Sequence, residues 1–78
     1  MIHGLKLVQP HFDAVWDRRK SFEVRKNDRD YNVGDELALN EYDPETQTYG
    51  ERTAIREITY ILSDPAYVKE GYVILGIA

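Results

Sequence analysis

Alternation of apolar and polar residues is the feature that most limits what this chain can fold into. Side chains two positions apart point to the same face of a strand, so a period of two is typical of a half-buried strand. The pattern recurs in Met1–Val8, in Ser21–Lys26, after the turn at 33–35 and in Thr53–Leu62. Tyr72–Ile77 is almost wholly apolar and predicts a further strand, buried on both faces. These patterns predict a mainly β domain.

A single short helix is expected after the first strand. Pro10 suits the first turn of a helix, and Phe12, Val15 and Trp16 follow at helical spacing as one apolar stripe. We therefore predict a helix near residues 10–18. The spacing between Ile55 and Ile58 breaks the alternation of the fourth strand and predicts a bulge or bend there.

One short helix cannot cover a sheet, and closure into a barrel would remove the open edges. We therefore predict an α+β, mainly β fold over residues 1–78: one domain with a small, mostly antiparallel barrel of five to six strands. Phe22 and Val24 are expected to face inward, with Ser21, Glu23 and Arg25 on the other face. The predicted core is Leu5, Leu7, Phe12, Val15, Trp16, Phe22, Val24, Leu37, Leu39, Ile58, Ile61, Val73 and Leu75.

Composition narrows the possible chemistry. The chain has no cysteine, which removes disulfides, thiolate zinc sites and a cysteine nucleophile and favours a reducing compartment. His3 and His11 stand on separate elements and make a poor metal signal, so neither a metal nor a cofactor is expected. No stretch approaches the ~20 apolar residues of a membrane helix. We expect a cytoplasmic protein that does not enter membranes.

Charge is unevenly distributed along the chain. The net charge is −4, yet residues 18–30 hold six basic and three acidic side chains, so this segment carries +3 and the remainder −7. A basic patch on an acidic body can still attract phosphate over about a Debye length, ~8–10 Å. RNA or a nucleotide is therefore the expected partner.

The run Lys20-Ser21-Phe22-Glu23-Val24-Arg25 resembles the signature of ASCH domains, a Gly-x-Lys-Thr-x-Glu-x-Arg run that follows the first helix. ASCH domains are PUA-like β-barrels linked to RNA binding and RNA modification. In this chain Arg18 replaces the glycine that usually ends the helix, and Ser21 replaces the threonine but keeps a hydroxyl. A residue other than glycine at that helix end must tolerate a left-handed conformation or close the helix differently.

Across nearly the whole chain the sequence is similar to small ASCH-like proteins of unknown function that bacteriophages often encode. That pattern includes His3-x-Leu5-Lys6, Pro10, Phe12, the run 20–29, Gly34-Asp35, 41–44 and the closing 71–77.

The resemblance implies a cleft between helix and barrel, lined by the segment from Lys20 to Arg25. Glu23 and Arg25 form either a recognition pair or a structural ion pair, and Lys20 is either a phosphate contact or a solvated lysine. His3 is expected to be buried and hydrogen-bonded, on the strand face opposite Lys6. The candidate ligand-binding residues are Lys20, Ser21, Glu23, Arg25, Arg29, Lys6 and Tyr31.

Two alternatives remain beside a nucleic-acid-binding module. Some ASCH proteins are amidohydrolases that remove the acyl group from acetylated cytidine, and Lys20, Ser21 and Glu23 are the candidate catalytic residues by that resemblance. In those enzymes a nucleophilic threonine occupies the position of Glu23, and a carboxylate does not replace an activated hydroxyl. We therefore expect no deacylation of acetylated cytidine, and a binding module is favoured over an enzyme. The other alternative is an adaptor that binds a host protein.

Overall fold

The computed structural model describes all residues from Met1 to Ala78 and contains five strands and one helix. This confirms the prediction of a mainly β domain with a short helix after the first strand. No helix has the length and apolarity that crossing a bilayer requires. The elements, in chain order, are β1 (Ile2–Leu7), α1 (His11–Trp16), β2 (Phe22–Lys26), β3 (Glu36–Asp43), β4 (Thr48–Leu62) and β5 (Tyr72–Ile77).

The strands form one sheet in the order β1-β3-β4-β5-β2. β1 runs parallel to β3, and the other three pairings are antiparallel. β4 has 15 residues and belongs to both halves of the sheet. Its segment Thr48–Glu57 pairs with β3, and its segment Ile58–Leu62 pairs with β5. Its register shifts between Ile58 and Tyr60, next to the place where the sequence predicted an irregularity. The long strand therefore determines how the two halves meet.

The prediction of a closed barrel is wrong, because β1 and β2 are the two edges of an open sheet and do not pair. Closure would require a ladder of backbone hydrogen bonds between these strands. In its place the side chain of Arg25 crosses the gap, and its Nη2 donates to the carbonyl oxygen of Lys6 at 2.7 Å. A side chain therefore occupies the position that a β1–β2 ladder would take.

Most of the predicted core is confirmed. The buried cluster comprises Leu5, Leu7, Phe12, Val15, Tyr31, Leu37, Leu39, Ala54, Ile58, Val73, Leu75 and Ile77, with Ile61 packed against it. β5 was expected to be buried on both faces, but its residues alternate between buried and half-buried. The apolar run therefore has one face in the core and one that is only partly covered.

Three residues of the predicted core lie largely outside it. Trp16, Phe22 and Val24 are 42%, 45% and 49% exposed, whereas Glu23 is only 2% exposed. The alternation along β2 is present, but the prediction that Phe22 and Val24 face inward is wrong, and Glu23 lies on the inner face. Trp16, at the end of α1, instead stacks on Phe12 with ring centroids 5.8 Å apart.

The ends of α1 depend on local contacts, since a six-residue helix has little intrinsic stability. At its start the Gln9 side-chain oxygen accepts a hydrogen bond from the Asp13 amide at 3.0 Å. At its end Arg18 adopts a φ of 61°, and the amides of Arg19 and Lys20 both donate to the carbonyl oxygen of Ala14. The left-handed conformation that glycine favours is therefore kept here by an arginine.

A buried polar pair connects β1 to the turn before β3. His3 is buried as expected, and its Nε2 lies 2.8 Å from Asp35 Oδ2. The same oxygen accepts a hydrogen bond from the Asn32 amide at 3.1 Å. The hydrogen bond with His3, and to a smaller degree those from the Met1 amino group and the Asn32 amide, hold the pKa of Asp35 below its ordinary value. This pair positions the start of β3 beside β1.

Asp35→Asn is expected to lower the melting temperature at neutral pH by roughly 5 °C or more, because a buried acceptor of several hydrogen bonds is altered. The folded pKa of Asp35 is depressed, so its stabilisation is present above the unfolded pKa of ~3.9 and is lost as the pH falls through the folded value. Thermal melts from neutral to acid pH should therefore converge for parent and variant. Glu70→Gln, which removes an exposed carboxylate, is the control. A gap that stays constant with pH would contradict this role.

Candidate functional site

The cleft between the two sheet edges has a volume of about 620 Å³ and opens to solvent. The end of β1, the start of α1 and most of β2 form its walls, so the missing β1–β2 pairing creates it. This is the position at which the sequence predicted a cleft. Its lining residues are Lys6, Leu7, Val8, His11, Lys20, Phe22, Glu23, Val24 and Arg25.

The backbone of β2 presents free hydrogen-bonding groups to this cleft. The carbonyl oxygen of Ser21 accepts a hydrogen bond from the Ile77 amide at 3.0 Å, which orients Ser21 towards β5. In an antiparallel pair this orientation alternates, so Glu23 and Arg25 also bond to β5 through their backbones. The N–H and C=O groups of Phe22 and Val24 therefore point away from β5, towards the cleft.

Glu23 is a buried carboxylate with one unpartnered oxygen. Its Oε2 accepts a hydrogen bond from Arg25 Nε at 3.2 Å. Its Oε1 lies 3.5 Å from Lys20 Nζ, within ion-pair distance, but makes no hydrogen bond. Burial of a charge is costly unless it is paired, and two cations compensate this one. The remaining oxygen therefore keeps an unused capacity to accept a hydrogen bond.

Arg25 connects the buried carboxylate to the opposite wall. Its Nε donates to Glu23 and its Nη2 to the carbonyl oxygen of Lys6, so two of its five N–H groups are used. The Glu23–Arg25 ion pair that the sequence left open as an alternative is therefore present, and it borders the cleft. Three N–H groups of the guanidinium remain for a ligand.

Lys20 joins the helix side of the cleft to β2. Its Nζ lies 3.2 Å from His11 Nδ1 and 5.2 Å from the centroid of the Phe22 ring. His11 was not among the predicted ligand-binding residues, because its contact with Lys20 depends on the turn after α1, which returns the chain to the start of the helix. Phe22 was also not predicted to line the cleft, because its hydrophobicity indicated a position in the core.

The other candidates lie elsewhere. Ser21 is exposed and borders a separate small cavity of about 30 Å³. Tyr31 is buried in the core with its ring centroid 4.8 Å from that of His3, and burial raises its pKa. Arg29 lines a second cleft, of about 380 Å³, which Lys6 also lines. The structure thus brings together Lys6, Lys20, Glu23 and Arg25 but not Ser21 or Tyr31.

A second charged network lies near α1 and has a structural role. Arg52 donates to both Asp13 and Glu41 at 2.9 Å, and its guanidinium lies over the rings of Phe12 and Trp16. These hydrogen bonds raise the pKa of Arg52, and its partners' pKa values are lowered. The network holds α1 against the hairpin of β3 and β4. No three His, Asp or Glu side chains cluster as metal ligands.

Comparison with known proteins gives two matches. A family model described as a domain of unknown function, DUF3850, matches residues 2–77. A stretch of 41 residues is 46% identical to an uncharacterized 12.9 kDa protein in the GpA 3' region of Escherichia phage P2. That alignment covers 53% of this chain and 38% of the phage protein's length. The similarity to small phage proteins expected from the sequence is thereby confirmed.

Arg25→Ala is expected to destabilise the fold by about 1–3 kcal/mol, because it leaves Glu23 buried without its hydrogen-bond donor. It also removes the bridge to Lys6. Urea denaturation followed by tryptophan fluorescence measures the effect. Arg29→Ala, at an exposed arginine without an ion pair, is the matched control and should change stability by less than about 0.5 kcal/mol. Equal unfolding midpoints for both variants would show that the bridge carries no stability.

Proposed function

We propose a function for this chain, which belongs to the DUF3850 family: it binds a base of single-stranded RNA, or of a nucleotide, in the cleft between β1, α1 and β2. The observation that carries this proposal is the buried Glu23 carboxylate: its Oε1 has no hydrogen-bond partner, and Glu23 lines an open cleft. A buried acceptor without a partner is costly, and a ligand donor would satisfy it.

The chemistry around Glu23 suits a nucleobase. A carboxylate accepts hydrogen bonds from the amino groups of bases, and Phe22 offers a half-exposed aromatic ring on the same wall. Base–aromatic stacking contributes about 1–3 kcal/mol per base. The free backbone groups of Phe22 and Val24 can add hydrogen bonds to a base edge. One wall therefore supplies both stacking and polar recognition.

Cations around the cleft suit the phosphate of the same ligand. Lys6, Lys20 and Arg25 line it, and His11 lies beside Lys20, while Glu23 is the sole acidic lining residue. The net charge of −4 on the whole chain opposes non-specific binding of long nucleic acids, so affinity depends on this local set. The ASCH-like run 20–25, which supplies five of the lining residues, supports the same proposal.

The amidohydrolase alternative is disfavoured by the lining of the cleft. None of the nine lining side chains carries a hydroxyl or a thiol, and Ser21 borders another cavity. Glu23 is paired with Lys20 and Arg25, which holds its carboxylate in place as a fixed acceptor. The cleft therefore supports binding better than acyl transfer to a serine.

An adaptor function is the second candidate, and the free backbone edges of β1 and β2 favour it. An exposed edge can accept an extended peptide as an added strand. Such a peptide would use backbone groups and would not require the Glu23 acceptor. If substitution of a side chain within the cleft abolishes RNA binding, the result therefore supports nucleotide binding over the adaptor function.

Phe22→Ala is expected to weaken binding of single-stranded RNA by about 1–3 kcal/mol, because a stacking surface is lost. Fluorescence anisotropy with a fluorescein-labelled RNA of mixed sequence, at low and at moderate salt, measures the affinity. Tyr60→Ala removes an exposed aromatic ring that does not line the cleft and should leave binding unchanged. If the parent protein binds no RNA at low salt, or if both variants bind as it does, the cleft is not the RNA site.

Glu23→Gln is expected to change ligand preference more than affinity. The parent should bind nucleoside monophosphates with an amino-bearing base (AMP, CMP and GMP) more tightly than UMP. The carboxylate accepts from an amino group, whereas uracil offers its N–H only between two carbonyl oxygens, which repel a carboxylate. An amide can donate to a base carbonyl as well, so the preference should fall by about tenfold. Calorimetric titration measures the ratios, and Glu70→Gln is the control. An unchanged ratio in Glu23→Gln would remove Glu23 from base recognition.

A further inference from the structure

A second cleft adjoins the first along the gap between the sheet edges. Its volume is about 380 Å³, and Lys6 and Arg25 line both clefts. The Arg25–Lys6 hydrogen bond therefore lies at the junction between them. A ligand longer than one nucleotide that fills the first cleft has a direct route into the second.

The second cleft carries the groups that a further nucleotide requires. Lys6 and Arg29 are exposed and form no ion pair, so their charges are not neutralised within the protein. Asp28 is the acidic residue of this lining, which leaves an excess of positive charge together with Arg25. This surface suits phosphate better than a cationic or neutral ligand.

Tyr49 provides an aromatic surface in the second cleft. Its ring contacts Tyr42 edge-on with centroids 5.0 Å apart, and Tyr49 is 58% exposed. Lys6 Nζ lies 4.5 Å from the centroid of the Tyr42 ring, which places a cation beside this pair. The edge-on contact fixes Tyr49 and leaves ring surface free, an arrangement that suits stacking of a base.

We infer that the ligand is single-stranded nucleic acid of at least two nucleotides, and that the second cleft holds the nucleotide next to the one in the first. The inference rests on the proposed function of the first cleft. Arg25, with three N–H groups unused at the junction, contacts the phosphate that links the two nucleotides. Arg29 and Tyr49 then bind the phosphate and base of the second nucleotide. A free mononucleotide would use only half of this surface.

The test compares ligands of increasing length on the intact chain. Calorimetric titrations with CMP, the dinucleotide CpC and a tetranucleotide of cytidine are made on the parent and on Arg29→Ala and Tyr49→Ala. Affinity is expected to rise by about tenfold or more from CMP to CpC in the parent. Both substitutions should remove most of this rise and leave CMP binding unchanged. Arg29→Ala should also reduce the salt slope for the tetranucleotide by about 0.7, one phosphate contact.

Arg19→Ala is the matched control, since Arg19 is exposed, lines neither cleft and makes only a surface contact with Asp17. It should keep the full rise with length. If the parent binds CMP as tightly as CpC, the second cleft is not a subsite, and the proposed function of the first cleft stands. If the rise persists in both Arg29→Ala and Tyr49→Ala, the additional nucleotide lies elsewhere and the inference is wrong. If no nucleotide of any length binds, the proposed function itself fails.

Discussion

The contact between Arg25 and the two groups that it bridges is the interaction on which this structure depends. The sheet is open, and the guanidinium spans its two edges from Glu23 on β2 to the carbonyl oxygen of Lys6 on β1. An arginine can do this because its planar fork donates in two directions while remaining charged. The same side chain compensates a buried carboxylate and spans the cleft between two unpaired edge strands. Fold and candidate site therefore depend on one group.

Much of the fold could be predicted because it follows from local pattern. The period-two segments became strands, the Phe12–Val15 stripe became the buried side of α1, and His3 found a buried partner in Asp35. Closure of the sheet was not predictable in this way, since it depends on whether two distant edges meet. The parallel β1–β3 pairing and the bend of β4 decide that, and both are properties of the assembled sheet.

The candidate site was predicted only in part, for a related reason. Alternation shows that Phe22 and Glu23 lie on opposite faces of β2, but it does not show which face is inside. Hydrophobicity favoured Phe22 as the inward-facing residue. This prediction failed because the buried Glu23 carboxylate on this edge strand is paired with the cations of Lys20 and Arg25. Lys20, Glu23 and Arg25 nevertheless converged because they lie in one short run. Lys6 joins them across the gap between the sheet edges, where its carbonyl oxygen accepts the hydrogen bond from Arg25. The approach of His11 to Lys20 is a tertiary contact with no signature in the spacing of the residues.

The two unpaired edges also bear on how this protein behaves at high concentration. An open edge presents unpaired N–H and C=O groups that can template pairing between molecules, and charged side chains, lysine above all, oppose such association. These edges carry basic side chains: Lys6 on β1, and Arg25 and Lys26 on the short β2. Their charges therefore oppose aggregation, in addition to the part that the proposed function gives them in the cleft. Replacing them with apolar residues would change the candidate site and remove this protection together, so both depend on the same few positions.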